Sequence, residues 1–141
     1  MTAITPPSTP VLESLETGEI VAESSFALTR DALVRYAGAS GDFNPLHTDA
    51  TYATQVAGFA GVFAHGMLTM GMTSRVLTDH YGAAAVRHLG GRFLAQVWPG
   101  DRLVARAEVV AVDEDRATFD IVTSNQDGVP VFRGRGVVTL P

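Results

Sequence analysis

Two short stretches of this chain carry its densest chemical signal, with groups able to move protons: Ser40-Gly41-Asp42-Phe43-Asn44-Pro45-Leu46-His47 and Ala64-His65-Gly66-Met67. In the first, a carboxylate and an imidazole are separated by a loop that a glycine and a proline bend. A kinked loop lets two such groups converge on one small molecule, whereas a regular strand or helix would hold them to its own periodicity. The natural shared ligand is a water, and the chemistry is general acid–base catalysis.

Composition narrows the alternatives. Cysteine is absent, which excludes disulfides, thiolate nucleophiles and Cys-ligated zinc. Lysine is absent too, so there is no Schiff base or lysine general base, and every fixed cation is an arginine. The net charge of -5 gives no electrostatic footprint for nucleic acid. Met1–Pro10 lacks the basic start and apolar core of a signal peptide and reads as a flexible tail; residues 11–141 read as one domain. The most apolar stretch, Gly58–Met72, is interrupted by His65 and glycines and falls short of the ~20 residues of a membrane span, so a soluble, cytoplasmic protein is expected.

The elements that must position these groups follow from pattern and punctuation. Glu19–Leu28 reads as a strand, and Thr29 as the N-cap of a helix over Ala32–Ala39 that Gly38 and Gly41 stop, leaving Asp42 in a loop. Pro45 forces Asn44 to be extended. Thr48 or Asp49 can cap a short turn running through Tyr52, which sets His47 at a helix entrance. From Gly66 to about His80 apolar residues surround the axis, which predicts a helix buried on most sides. Strands are expected over Val86–Val97, Arg102–Val112, Ala117–Ser124 and Val131–Leu140, as antiparallel neighbours joined by short loops. An antiparallel sheet needs one face covered, and the helix from Gly66 is the only long apolar one. The expected class is α+β, a sheet wrapped around that helix.

The two motifs together resemble those of the MaoC-like, (R)-specific enoyl-thioester hydratases and dehydratases: Tyr36, Gly41, Asp42, Asn44, Pro45 and His47 match that family's signature. Leu33 through Asp42 and Ala64 through Gly71 are most similar to the catalytic B-type subunit of the mycobacterial 3-hydroxyacyl-carrier-protein dehydratase. The resemblance spans nearly the whole chain and implies a hotdog fold. It further implies that Asp42 and His47 hold the catalytic water, that Asn44 orders the loop, and that the backbone N–H of Gly66 is the oxyanion donor. Helix physics agrees, because the first N–H groups of a helix lack internal partners and carry partial positive charge. Ser74 falls where some homodimeric members use a serine and is kept as an accessory candidate, as is His65. No metal and no cofactor is implied.

The implied reaction is reversible hydration of trans-2-enoyl thioesters, carried by coenzyme A or acyl carrier protein, to (R)-3-hydroxyacyl thioesters in fatty acid metabolism. A thioester hydrolase on the same fold and a non-catalytic acyl-binding partner subunit are the alternatives. Taken alone, Asp42 reads as a turn carboxylate, His47 as a surface residue, and His65 as a histidine bonded to backbone. His80 and His88 read as surface residues, Met67, Met70 and Met72 as gap-filling core, and Arg92, Arg102 and Arg106 as solvated. A lone hotdog leaves an open strand edge, so a homodimer or a heterodimer with a related hotdog subunit is expected.

Overall fold

The computed structural model describes residues 15–139. The tail expected over Met1–Pro10 and the strand end at Leu140 lie outside the described residues. Strand β1 (Ile20–Ala27) leads into helix α1 (Arg30–Ser40). Thr29 caps α1 as expected, its Oγ1 accepting from the Ala32 N–H at 3.1 Å, with Asp31 in the first turn. The helix runs longer than predicted, by Arg30 and Asp31 at its start and Ser40 at its end, and Gly38 does not break it. The stop is Gly41, at φ 76°, whose N–H donates to the Ala37 carbonyl at 2.9 Å. That left-handed conformation suits glycine and turns the chain abruptly into Asp42.

An additional element precedes the expected turn through Tyr52. Helix α2 is one turn, Pro45–Thr48, and its cap is Asn44, whose Oδ1 accepts from the Leu46 N–H at 3.0 Å. Proline at the first helical position, after an Asn cap, is the arrangement that leaves no N–H wasted. Asp49 caps the turn through Tyr52 as expected, its Oδ1 accepting from the Tyr52 N–H at 3.0 Å, and a wide turn follows over Tyr52–Val56. His47 therefore sits inside α2 rather than at the entrance of the helix after it.

Helix α3 (Gly66–Tyr81) and a short 3₁₀ turn (Ala83–Ala85) precede β2 (Val86–Phe93), β3 (Arg102–Val112), β4 (Arg116–Ser124) and β5 (Pro130–Thr139). All pairings are antiparallel, in the order β1-β3-β4-β5-β2. The strands expected in succession are present, but β2 and β3 are not neighbours: they lie towards opposite sides of the sheet. The reason is visible in the connection. Gly100 donates to the Leu28 carbonyl and Leu28 donates to the Asp101 carbonyl, each at 2.8 Å, so the Pro99-Gly100-Asp101 turn is bound to the end of β1 and feeds β3 in beside it. Regular pairing of β2 ends at Phe93, short of the predicted Val97.

The face of α3 turned to the sheet buries Leu68, Thr69, Thr73, Val76, Leu77 and Tyr81. Close approach to β5 requires Gly136, where a Cβ would lie 2.5 Å from Leu77 Cδ1. The other face, with Met67, Gly71 and Arg75 one turn apart, is exposed in the single chain, so α3 is covered on one side and not on most sides. A second apolar cluster, including Leu28, Leu33, Ala53, Val62, Ala64, Leu68 and Leu103, supports the loops before α3. Full burial of a side chain such as Leu33 stabilises by roughly 1.5–3 kcal/mol, which makes these loops a firm platform.

Candidate active site

The left-handed Gly41 delivers Asp42 to the surface, and local hydrogen bonds hold it there. Its N–H donates to Ser40 Oγ at 3.1 Å, the Ser40 hydroxyl donates to the Tyr36 carbonyl at 2.7 Å, and Asp42 Oδ1 accepts from the Asn44 N–H at 3.2 Å. Asn44 thus serves both ends of the loop, restraining the Asp42 carboxylate through its main chain and capping α2 through its side chain.

His47 is nearly buried, and its orientation is fixed from outside its own motif. Nδ1 lies 2.7 Å from the Phe63 carbonyl oxygen. A carbonyl only accepts, so Nδ1 carries the proton and Nε2 of the neutral ring presents a lone pair. Arg30 fastens the turn beneath, donating from Nη1 to the His47 carbonyl at 3.2 Å and from Nη2 to the Thr48 carbonyl at 3.0 Å. Neither Phe63 nor Arg30 was legible in the sequence: a main-chain acceptor has no side-chain signature, and Arg30 looked like any other solvated arginine.

His65, only 2% exposed, completes the group. Its Nε2 lies 3.0 Å from the Asp42 carbonyl oxygen, its ring stacks on His47 with centroids 4.0 Å apart, and Tyr36 packs on it at 4.8 Å. The two motifs, far apart in sequence, are thereby brought together: one side-chain ligand atom from each of Asp42, His47 and His65 falls within 4.8 Å of the others. Such proximity invites a metal reading. The two rings are stacked at 30° to one another, however, and one nitrogen of each, Nδ1 of His47 and Nε2 of His65, is already engaged with a main-chain carbonyl.

Gly66 is the first residue of α3, and among the described residues its N–H donates to no acceptor. It opens onto a cleft of about 260 Å³ whose walls include Phe63, Thr69, Phe93, Leu94, Gln96 and Val131. Asp42 and His47 are not among those walls; Phe63 links the two features, lining the cleft while its carbonyl holds His47. Ser74 is not gathered with the others. It lies on α3 eight residues past Gly66, about 12 Å along the axis at the usual helical rise, and its hydroxyl donates to its own helix at the Gly71 carbonyl, 2.6 Å away. His80 and His88 are exposed, as expected, but so is Met67, at 57%. Trp98 meets Phe63 edge-on at 5.7 Å.

The family model described as "MaoC like domain" matches residues 13–128, most of the chain and both motifs. The chain belongs to the MaoC-like family. It is 33% identical over 133 residues to the (R)-specific enoyl-CoA hydratase of Aeromonas caviae, covering 92% of this chain and 98% of that protein. It is also 37% identical over 92 residues to the 3-hydroxyacyl-thioester dehydratase Y of Mycobacterium tuberculosis, but spans only 31% of that protein's length. Among solved structures, the (R)-hydratase of A. caviae superposes with a TM-score of 0.81 at 32% identity, covering 92% of this chain and 99% of that one. An R-hydratase of Pseudomonas aeruginosa gives 0.83 at 30% identity, covering 92% and 84%. The five-stranded antiparallel sheet packed on helix α3 is the hotdog fold of these hydratases.

Proposed function

We propose that this MaoC-like chain is a hydro-lyase that adds water across the 2,3-bond of trans-2-enoyl thioesters, and removes it from (R)-3-hydroxyacyl thioesters, with Asp42 and His47 as its acid–base pair. The observation that carries this reading is the His47 imidazole. Phe63 holds the Nδ1 proton, which leaves the Nε2 lone pair as a base in the same small group of atoms as the Asp42 carboxylate. In hydration the pair takes one proton from water as its oxygen bonds to C3. The π electrons move toward C2, and the charge that develops on the thioester oxygen is held by the Gly66 N–H. The pair then returns one proton to C2, so neither group is altered over a turnover, and dehydration runs the same path backward. A single well-aimed oxyanion donor contributes about 3 kcal/mol to such a barrier.

The relatives' names, one an enoyl-CoA hydratase and another a 3-hydroxyacyl-thioester dehydratase, support the reaction and its place in acyl-thioester metabolism. Two features of the chain support pairing with a second hotdog chain, of its own kind or a related one. The sheet ends on β2, and the residues that follow it leave Phe93 and Leu94 half exposed beside the cleft. Among the described residues no helix is long and apolar enough to cross a membrane.

The test is incubation with crotonyl and longer trans-2-enoyl thioesters, on coenzyme A and on acyl carrier protein, with chiral analysis of the product. The (R)-3-hydroxyacyl thioester is expected, lost in Asp42→Asn and His47→Ala. Full turnover in both variants, or release of free thiol with the 2,3-bond unchanged, would overturn the reading.

A further inference from the structure

We infer that His65 is the positioning residue of this site, the side chain that sets the distance between the Asp42 loop, the His47 base and the amide at the tip of α3. The inference rests on the acid–base reading above and assigns His65 no contact with substrate. This one residue meets all three parts, two through its ring and one through its backbone. Its Nε2–H reaches 23 residues back along the chain to the Asp42 main-chain carbonyl, its face lies on His47, and its own backbone is the N-cap immediately before Gly66. Tyr36 closes the remaining side. The Asp42 side chain is anchored only within its own loop, by the Asn44 N–H. The bond from His65 is what ties this main chain to the second motif.

A structural filler would not need to be a histidine. The ring is 2% exposed and its Nδ1 is enclosed without a partner, a state that a phenyl or isobutyl group would avoid. The unpartnered atom also decides the tautomer. A proton on Nδ1 would be a buried donor with no acceptor, while the Asp42 carbonyl needs one on Nε2, so the single proton belongs on Nε2. His47 and His65 are therefore stacked in opposite tautomers, one holding its proton toward Phe63 and the other toward Asp42.

Two amides of similar polarity separate positioning from packing. A glutamine amide nitrogen falls near the place of Nε2 and can still reach the Asp42 carbonyl; an asparagine amide falls near that of Nδ1 and cannot. His65→Asn is expected to lower kcat about 100-fold with KM little changed, the scale of a misplaced acid–base group, and His65→Gln to stay within about fivefold of the parent. Equal activity of the two variants, whether both high or both low, overturns the inference. Asp42→Asn and His47→Ala run in parallel. If these retain full rate the acid–base reading has failed, and the role of His65 falls with it; if they lose it while His65→Asn does not, only the role of His65 falls. Should the His65 variants not fold, imidazole ¹⁵N spectra of the unaltered protein decide. The proton is expected on Nε2 of His65 and Nδ1 of His47, and a proton on Nδ1 of His65 overturns the inference.

Discussion

The ring of Phe93 lies against the α-carbon of Gly66: a Cβ built there would stand 2.9 Å from Phe93 Cε2 and 3.1 Å from Cζ. At the residue with the free amide, an aromatic wall of the cleft thus occupies the space that a side chain would take. Phe93 is 49% exposed and can swing aside, so the clash is relieved by reshaping the cleft rather than by unfolding.

Gly66→Ala is therefore expected to leave Tm almost unchanged, since alanine favours the helix by up to about 1 kcal/mol over glycine. Its kcat/KM should drop about tenfold, a part of the 10²–10³ that outright loss of such a donor costs. Adding Phe93→Ala should recover much of that loss. Steady-state kinetics on the two single variants and the double variant measures the coupling; strict additivity would mean that the contact has no part in shaping the site.

Gly41 sets the other approach. At φ 76° a Cβ costs about 1–2 kcal/mol, less for asparagine, which tolerates the left-handed region. Gly41→Ala should lower the denaturant midpoint more than Gly41→Asn does, and should reduce activity beyond its effect on stability because Asp42 is the next residue. Comparable midpoints for the two variants would show that the turn relaxes freely.

Much of this was readable from the chain, and the parts that were not share a cause. The Asp42 loop was legible because its shape is local: Thr29, Gly41 and Pro45 impose it on their immediate neighbours. The cap of the turn through Tyr52 was legible at Asp49, whereas the one-turn helix α2 before it was missed, although Asn44 followed by Pro45 signals it. The placement of β2 was not legible, since the spacing from Phe93 to Arg102 fits a long hairpin as well as a crossing, and the bonds between Leu28 and Gly100-Asp101 that decide it run between distant backbones. The same holds for Phe63, whose carbonyl orients His47, and for the free face of α3, because apolar content around a helix does not say how much sheet there is to cover it.

A polar contact, Thr73 Oγ1 to Thr123 Oγ1 at 2.7 Å with both residues fully buried, pins helix α3 to the middle of the sheet. Replacing either threonine with valine leaves its partner unpaired in a dry place, at about 1–3 kcal/mol. Replacing both removes the polar pair altogether, so Thr73→Val/Thr123→Val should be close to the parent. Denaturant unfolding of the three variants gives the coupling directly; a double variant as unstable as the sum of the singles would contradict a simple pair.

At the far end of α3 the Tyr81 hydroxyl is buried without a hydrogen-bond partner, its ring packed on Phe119 with centroids 5.5 Å apart. Burial, and secondarily the negative charge of Glu19, push its pKa up from 10.0 to about 12. A group whose folded pKa is raised contributes stability that is fully present below its unfolded pKa and disappears as pH rises through the folded one. The protein should therefore lose on the order of 2–3 kcal/mol between about pH 10 and pH 12 as the unfolded chain ionises first. Tyr81→Phe removes both the ionisable group and the unpaired hydroxyl. It is expected to be neutral or stabilising by up to about 1 kcal/mol at neutral pH and to flatten the alkaline slope. Unfolding free energies measured across that range, with tyrosinate absorbance followed in parallel, check the prediction; an unchanged slope in the variant would mean that other groups drive the alkaline loss.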